Sequence, residues 1–272
     1  MLTPLPPLRE VIARHRLSAR RSLGQHFLLE SNLTARIARA AGDLRDRNVI
    51  EVGPGPGGLT RALLETGARR VYAIERDGRC ITALKELAAA YPERLHLTEG
   101  DALETNAVAL APAPRCIVAN LPYNIAVPLL IGWLRRAGEF EALTLMFQKE
   151  VAERLTAAPG GKDYGRLSVL VQWLCETRLL FNVDQRAFTP PPKVTSTVVS
   201  LIPRKKPLAA ADWESLEAVT AAAFGQRRKM LRSSLKPLGL DLEALSIDAT
   251  ARAEELDVEI FCLLARAHAE PR

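Results

Sequence analysis

The residues best suited to chemistry follow a short apolar run and read Asn120, Leu121, Pro122 and Tyr123. The side-chain oxygen of Asn120 can accept a hydrogen bond, and Pro122 fixes the direction of the Leu121 carbonyl, a second acceptor. Tyr123 adds a flat aromatic face. Two acceptors and a platform suit the amino group of a planar base and would turn its nitrogen lone pair towards a sulfonium methyl. A buried Asn in a turn beside a core Tyr is the structural alternative.

A glycine-rich loop comes earlier in the chain, where Gly53, Gly55 and Gly58 satisfy the G-x-G-x-x-G spacing. An apolar strand pattern precedes it and a helical pattern follows, which is the context of a nucleotide-binding loop. Pro54 and Pro56 remove two backbone donors that a pyrophosphate would use. S-adenosylmethionine carries no phosphate and tolerates that loss. A tight structural turn is the alternative.

Two carboxylates follow the next two predicted strands. Glu75 is placed to accept both hydroxyls of a ribose, and Asp101 could accept from the exocyclic amine of an adenine. A surface Glu and a Gly-Asp turn are the structural alternatives. Because the carboxyl ends of strands in a doubly wound sheet meet at one crevice, we expect the glycine loop and both carboxylates to share it.

The elements that must position these residues alternate between strand and helix. This alternation predicts an α/β fold with a mostly parallel, Rossmann-like doubly wound sheet. Two later strands suit an antiparallel pair at one edge. We predict strands at 48–52, 71–74, 95–98, 116–119, 143–147, 177–183 and 195–202, and helices at 31–41, 59–65, 80–90, 127–136 and 149–156.

The two ends of the chain differ in character from this alternating region. Residues 1–20 are Pro-rich and then basic, which predicts a flexible arm with one short helix at 8–15. After about residue 205 no strand pattern follows. We therefore expect a main domain at 21–204 and a small helical C-terminal domain at 205–272, with helices at 213–224, 228–235 and 258–268.

The composition is that of a globular protein, with 48% hydrophobic and 25% charged residues among 272. It excludes a wholly disordered chain, a collagen and a coiled-coil rod. No apolar run is long enough for a transmembrane helix. The four cysteines show no C-x-x-C spacing, so we expect no metal site, and without a signal-peptide pattern we expect a cytoplasmic protein.

Six motifs occur in order and cover the chain from about Leu17 to Leu264. Together they resemble the KsgA/RsmA family of small-subunit ribosomal RNA adenine dimethyltransferases. The motifs are residues 22–29 (SLGQHFLL), 51–55 (EVGPG), 119–123 (ANLPY), 148–154 (QKEVAER), 188–194 (FTPPPKV) and 224–231 (FGQRRKML).

The resemblance implies a class I methyltransferase domain that uses S-adenosyl-L-methionine. It also implies dimethylation of each of two adjacent adenines near the 3′ end of the small-subunit RNA, in connection with small-subunit biogenesis. The implied partner is the small ribosomal subunit or its 16S-type RNA, and we expect a monomer with no membrane association.

The resemblance assigns roles to positions of this sequence. It implies that Tyr123 and Phe188 sandwich the target base. One position departs from the family pattern, because residue 26 is often Asn in the family and is His26 in this sequence. The catalytic residues are Asn120, Leu121, Pro122, Tyr123 and Phe188. The cofactor-binding residues are Gln25, His26 and Leu28 over the methionine end, Gly53 and Gly55 beneath it, Glu75 at the ribose, Asp101 near the adenine, and Asn120.

Affinity for RNA would come from contacts of basic side chains with phosphates. The formal net charge of +6 is a mild excess that allows a polyanionic partner. A solvated charged face is the structural alternative for each residue, although the 226–229 cluster lies in a family motif. The candidates are Arg20, Arg21, Lys205, Lys206, Arg227, Arg228 and Lys229.

Three other functions are weighed against this one. A large-subunit RNA adenine methyltransferase of the macrolide-resistance type shares the fold and site, but often has Ile where this chain has Leu121. A non-catalytic RNA-binding or ribosome-assembly factor is disfavoured by the intact Glu75 and Asp101. A nicotinamide oxidoreductase would leave the 120–123 stretch unexplained. No Pro-Cys follows the fourth strand, which argues against cytosine C5 methylation by a thiolate.

Overall fold

Seven strands form the central sheet in the part of the chain that the computed structural model describes, residues 5–20, 23–226 and 228–269. The strands are β2 (Asn48–Val52), β3 (Arg70–Glu75), β4 (Leu95–Glu99), β5 (Arg115–Asn120), β6 (Ala142–Gln148), β7 (Cys175–Val183) and β9 (Ser196–Pro203). Their order across the sheet is β4-β3-β2-β5-β6-β9-β7, and the first five in this order run parallel to one another. β9 runs antiparallel to β6 and lies beside β7 at one edge.

The interior strands are apolar almost throughout, because helices cover both faces of a parallel sheet. Every residue of β2 is buried, and so are most of β3, β5 and β6. The predicted mostly parallel α/β sheet is therefore confirmed. The helix before β2 is α2 (Ser31–Ala40), and the helices connecting the parallel strands are α3 (Gly58–Glu65), α4 (Gly78–Ala90), α5 (Ala107–Leu110) and α6 (Tyr123–Leu134).

A second, two-stranded sheet lies outside the central one. β1 (Phe27–Leu28) pairs antiparallel with β8 (Phe188–Thr189), so that Phe27 is opposite Thr189 and Leu28 is opposite Phe188. This pairing brings the segment before α2 next to the Pro-rich stretch at 190–192.

The N-terminal segment contains α1 (Leu8–Arg14), in agreement with the short helix predicted there. Val11 of this helix and Leu17 after it are buried against Phe27, Cys80 and Ala83. These apolar contacts anchor the described part of the arm.

The chain divides into two compact units, 1–149 with 179–202 and 150–178 with 203–272. The first contains most of the sheet. The second contains not only the residues predicted for a helical C-terminal domain but also 150–178, which the predicted boundary near 205 assigns to the main domain. The remaining helices are α7 (Lys149–Thr156), α8 (Arg166–Leu174), α9 (Trp213–Gly225), α10 (Leu231–Ser234) and α11 (Val258–Ala269).

The second unit has an aromatic core. Phe224 of α9 stacks on the fully buried Phe261 of α11 with 5.4 Å between ring centroids, and Tyr164 meets Phe224 edge-on at 6.1 Å. Asp212 caps α9 by accepting from the Ser215 amide.

Most predicted elements agree with the structure, and the differences have local causes. α6 begins at Tyr123, four residues before the predicted helix, directly after Pro122 as its N-cap residue. α8 was not predicted, and α10 covers four of the eight residues predicted at 228–235. No helix within the described ranges is long and apolar enough to cross a membrane.

Candidate active site

A cleft opens at the carboxyl ends of β2, β3, β4 and β5 in the first unit. The predicted cofactor and catalytic residues line it, with the exception of Phe188. Those that line it are Gln25, His26, Leu28, Gly53, Gly55, Glu75, Asp101, Asn120, Leu121, Pro122 and Tyr123. The ends of β2, β3 and β4, which carry the glycine loop and the two carboxylates, therefore line one crevice, as expected.

The glycine loop requires its glycines. Gly53 and Gly55 have φ of +68° and +55°, in the left-handed region that side chains with a Cβ rarely adopt. A Cβ on Gly55 would also lie 3.2 Å from the Phe27 ring. The turn lets the Gly55 amide donate to Glu75 Oε2 at 2.9 Å, which ties the loop after β2 to the end of β3.

Glu75 is buried in the cleft and accepts hydrogen bonds from backbone amides. Besides Gly55, the Asp77 amide donates to Glu75 Oε1 at 2.8 Å. Burial raises the pKa of Glu75, while the hydrogen bonds from the amides of Asp77, Gly55 and Arg76 lower it. Each oxygen keeps a lone pair, so the carboxylate can still accept from the two hydroxyls of a ribose.

A third carboxyl in the cleft, Glu51, was not among the predicted site residues. It is 1% exposed, and its Oε2 has no hydrogen-bond partner among the described residues. Burial raises its pKa to about 8, the neighbouring Thr60 hydroxyl lowers it, and the charge of Glu75 raises it. The sequence feature that could have indicated this residue is that Glu51 is the single carboxylate in the apolar run 48–52.

The unpartnered Oε2 of Glu51 makes it possible to ask whether the expected cofactor fits the cleft. A buried acceptor without a donor is costly unless a ligand supplies one. The amino group of S-adenosylmethionine is such a donor, and its ribose hydroxyls suit Glu75. The donor and acceptor chemistry of the cleft therefore fits this cofactor.

Asp101 lies at the mouth of the cleft and is partly exposed. Its Oδ1 accepts from the Leu103 amide at 2.9 Å, and its Oδ2 pairs with Arg76 at 3.0 Å. The Arg76 side chain is two-thirds exposed, so water screens this pair and it contributes little to stability. Displacing Arg76 would leave Oδ2 able to accept from an adenine amine.

The stretch 120–123 turns from the end of β5 into α6. Asn120 is the last residue of β5, and its Nδ2 donates to the His26 carbonyl at 3.4 Å. This contact uses the amide nitrogen, and among the described residues Oδ1 has no hydrogen-bond donor, so it can accept one from a ligand. Leu121 is buried and anchors the turn, while Pro122 sets its direction.

Tyr123 is held by a residue from a distant strand. Its hydroxyl lies 2.6 Å from Oγ of Ser196, the first residue of β9. Burial raises the pKa of Tyr123 and this hydrogen bond lowers it. Ser196 was not predicted as a site residue, and the Ser-Thr pair at the start of an apolar strand is its only signal in the sequence.

His26 lies between the two aromatic residues predicted to hold a base. Its ring is stacked on Tyr123 with 5.7 Å between centroids and meets Phe188 edge-on at 6.4 Å. Phe188 is 1% exposed and pairs in β8 opposite Leu28. His26 thus lines the cleft together with Tyr123 and Phe27, and the role predicted for Phe188 stays a prediction.

Gln25 links the N-terminal segment to the start of α4. The Arg20 amide donates to its Oε1 at 2.9 Å, and its Nε2 donates to Asp77 Oδ2 at 3.2 Å. The hydrogen bond from Arg79 is the main cause that lowers the pKa of Asp77, to about 2. Gln25 therefore closes one side of the cleft through contacts with the protein itself.

The predicted RNA-binding residues that the structure describes are all exposed. They are Arg20 in the first unit, and Lys205, Lys206, Arg228 and Lys229 in the second. Arg21 and Arg227 lie outside the described residues. Exposure allows contact with phosphates, and the RNA-binding role of these residues stays a prediction.

Comparison with known proteins gives consistent matches over nearly the whole chain. A family model described as ribosomal RNA adenine dimethylase matches residues 16–270. The chain is 67% identical to ribosomal RNA small subunit methyltransferase A of Paramagnetospirillum magneticum, covering 98% of this chain and 96% of that protein. It is 66% identical to the protein of the same name from Rhodospirillum rubrum, covering 97% and 92%.

Solved structures agree with these matches. A dimethyladenosine transferase from Plasmodium falciparum is similar with a TM-score of 0.78 and 29% identity, covering 88% of this chain and 96% of that one. The 23S rRNA methyltransferase ErmE is similar with a TM-score of 0.67 and 28% identity, covering 90% and 100%. The predicted class I methyltransferase fold is confirmed.

Proposed function

Since this chain belongs to the ribosomal RNA adenine dimethylase family, we propose that it methylates N6 of two adjacent adenines near the 3′ end of small-subunit ribosomal RNA. Each adenine receives two methyl groups, in connection with small-subunit biogenesis. The observation that carries the proposal is the shared cleft, in which the 120–123 turn faces the glycine loop and Glu75. Such a cleft can hold a methyl donor and an amino group side by side.

The β2 and β3 ends form the cofactor half of the site. When bound, S-adenosylmethionine supplies a methyl group activated by its sulfonium. The carboxylates of Glu75 and Asp101 accept from the ribose and the adenine, and Glu51 accepts from the amino group. Gly53 and Gly55 let the backbone approach closely.

The 120–123 turn forms the base half. Asn120 Oδ1 and a backbone carbonyl of the turn accept from the two N6 hydrogens, which directs the nitrogen lone pair away from the ring. Tyr123 supports the base through its ring, since a target base must leave its stack to be reached. Catalysis rests on this positioning and on two acceptors that meet developing positive charge. The N6 proton becomes acidic only after methyl transfer, so no strong general base is required.

Exposed basic residues supply the RNA contacts in this proposal. Arg20, Lys205, Lys206, Arg228 and Lys229 bind phosphates, and their contribution falls with rising salt concentration. In this proposal the protein acts as a monomer on the small ribosomal subunit. The reaction takes place in the cytoplasm, where the ribosomal substrate is found.

The test is methyl transfer from labelled S-adenosylmethionine to small ribosomal subunits that lack the modification, with mass mapping of the RNA. We expect dimethyladenine at two adjacent positions near the 3′ end, and no label in large subunits. Asn120→Ala serves as the matched inactive control. Label confined to large-subunit RNA, or cofactor binding without transfer to any subunit, would overturn the proposal.

A further inference from the structure

We propose that Glu51 carries a proton in the ligand-free protein and releases it to solvent when the ammonium group of S-adenosylmethionine binds. This inference rests on the proposed function and deepens it, because it couples cofactor binding to pH through one side chain of the cleft. The burial of Glu51 and the charges around it carry the inference.

Glu51 lies where water cannot stabilise a negative charge. It is the only carboxyl group of β2, in which every residue is buried, and it is itself 1% exposed. Its Oε2 has no hydrogen-bond partner among the described residues. Ionisation here costs the hydration of a carboxylate with little compensation from the protein, so burial favours the neutral acid.

The residues packed against Glu51 supply no positive charge within the described part of the chain. From β3, the negative charge of Glu75 opposes ionisation, and from α3 the hydroxyl of Thr60 favours it. β5, on the other side of β2, ends in the uncharged Asn120. Burial is the largest effect, and it raises the pKa of Glu51 to about 8. Near neutral pH the folded protein therefore keeps this carboxyl protonated.

The other ionisable side chains that line the cleft are engaged elsewhere. Arg76 pairs with Asp101 at 3.0 Å, and its side chain is two-thirds exposed. Nδ1 of His26 lies 2.7 Å from a backbone carbonyl oxygen, and the hydroxyl of Tyr123 lies 2.6 Å from a serine hydroxyl of β9. None of these four is among the groups that shift the pKa of Glu51 in the described chain. The neutralising cation therefore comes with the ligand.

The amino-acid end of S-adenosylmethionine carries such a cation. In the proposed function its ammonium group donates to Glu51, and a charge-assisted hydrogen bond of this kind favours the carboxylate. The neutral acid and the ammonium then give a carboxylate, an unchanged ammonium and one free proton. Glu51 thereby exchanges its proton for the ligand cation, and the buried pair carries no net charge.

Calorimetric titration counts this proton. The protein is titrated with S-adenosylmethionine at pH 7 in two buffers that differ in their heat of ionisation, and the difference in binding enthalpy gives the number of protons released. We expect about 0.9 proton from Glu51 per cofactor, because a group with a pKa of about 8 is mostly protonated at pH 7. 5′-Methylthioadenosine has the same adenine and ribose but no amino group, so it should release none from Glu51.

The matched variant is Glu51→Gln, which cannot ionise. With S-adenosylmethionine it should release no more protons than the wild type releases with 5′-methylthioadenosine, since any contribution of Glu75 is common to both. The Kd of the wild type for S-adenosylmethionine should fall roughly ninefold from pH 6 to pH 7, because binding requires the carboxylate. The same Kd should change little with pH in Glu51→Gln.

Glu104→Gln, at an exposed position, is the control and should match the wild type, and thermal unfolding verifies that both variants fold. Equal proton release with the two ligands in the wild type would overturn the role of Glu51, and this comparison needs no variant. Wild-type proton release in Glu51→Gln would overturn it as well. Failure of the wild type to methylate small subunits would instead refute the proposed function without changing the proton count, so the two failures are distinguishable.

Discussion

Replacing Glu51 with Gln should change how the stability of the ligand-free protein depends on pH. Glu51 is fully buried in β2, with one carboxyl oxygen unpartnered among the described residues and a pKa raised to about 8. Gln has nearly the same shape but cannot ionise. The substitution therefore removes the titration while keeping the packing of the strand.

The direction in which the free energy of unfolding changes with pH follows from the protons bound by the folded and the unfolded protein. The ordinary pKa of this carboxyl is 4.5, so between about pH 4.5 and 8 the folded protein holds a proton that the unfolded chain has lost. The free energy of unfolding then falls by up to about 1.4 kcal/mol per pH unit in this window. From pH 5 to pH 7 the loss due to Glu51 amounts to roughly 2–3 kcal/mol.

The measurement is the difference in unfolding free energy between Glu51→Gln and the wild type at pH 5, 6 and 7. Urea denaturation followed by circular dichroism supplies each value. The difference should move in favour of the variant by roughly 2–3 kcal/mol as pH rises from 5 to 7. Any effect of the introduced Gln amide on packing or hydrogen bonding that does not depend on pH is the same at all three pH values, so it does not contribute to this trend.

Glu104→Gln is the matched control because Glu104 is exposed, and it should show no comparable trend. The buried Glu75 is present in both proteins, so its own titration cancels from the difference apart from its electrostatic coupling to Glu51. Parallel pH profiles for the wild type and Glu51→Gln would refute the reasoning. They would mean that Glu51 is already ionised in the folded protein, with a partner for its charge.

The other predictions concern the turn, the ribose carboxylate and the second unit. Asn120→Ala should lower kcat by about 100- to 1,000-fold, since it removes an acceptor for developing positive charge, while binding of small subunits stays unchanged in a filter assay. Glu75→Gln should weaken S-adenosylmethionine binding in calorimetry far more than it weakens RNA binding; unchanged cofactor affinity would remove Glu75 from the site. Ser196→Ala should raise the pKa of Tyr123 further, because burial then acts without the compensating hydrogen bond; ultraviolet titration against Tyr123→Phe measures it. Phe261→Ala should destabilise the protein by roughly 3–5 kcal/mol in urea denaturation, because its fully buried ring stacks on a neighbour.

Much of the fold could be predicted from local patterns. The strands β2, β3, β5 and β6 are short apolar runs followed by helical periodicity, and such alternation has few solutions other than a parallel sheet. α8 escaped prediction because its residues 166–174 are apolar on nearly all sides and show no helical stripe. β1 and β8 have two residues each, too few to show any period.

The site was only partly accessible to the same reasoning. Glu75, Asp101 and Asn120 were found because parallel strands bring their carboxyl ends to one edge. Ser196 was missed because its role depends on the pairing of β9 with β6, and no local pattern shows it. Glu51 was missed because a carboxylate inside a strand usually faces water, and here every residue of the strand is buried.

The sequence by itself determined which residues end the strands and which glycines bend the loop, because backbone sterics and apolar periodicity act over a few residues. Its six ordered motifs also pointed to the family to which the chain belongs. Only the tertiary structure decided what meets across the cleft. His26 and Pro190 are 164 positions apart, and Tyr123 and Ser196 are 73 apart. Such contacts form only when packing of the sheets brings distant segments together, and they orient side chains that line the cleft.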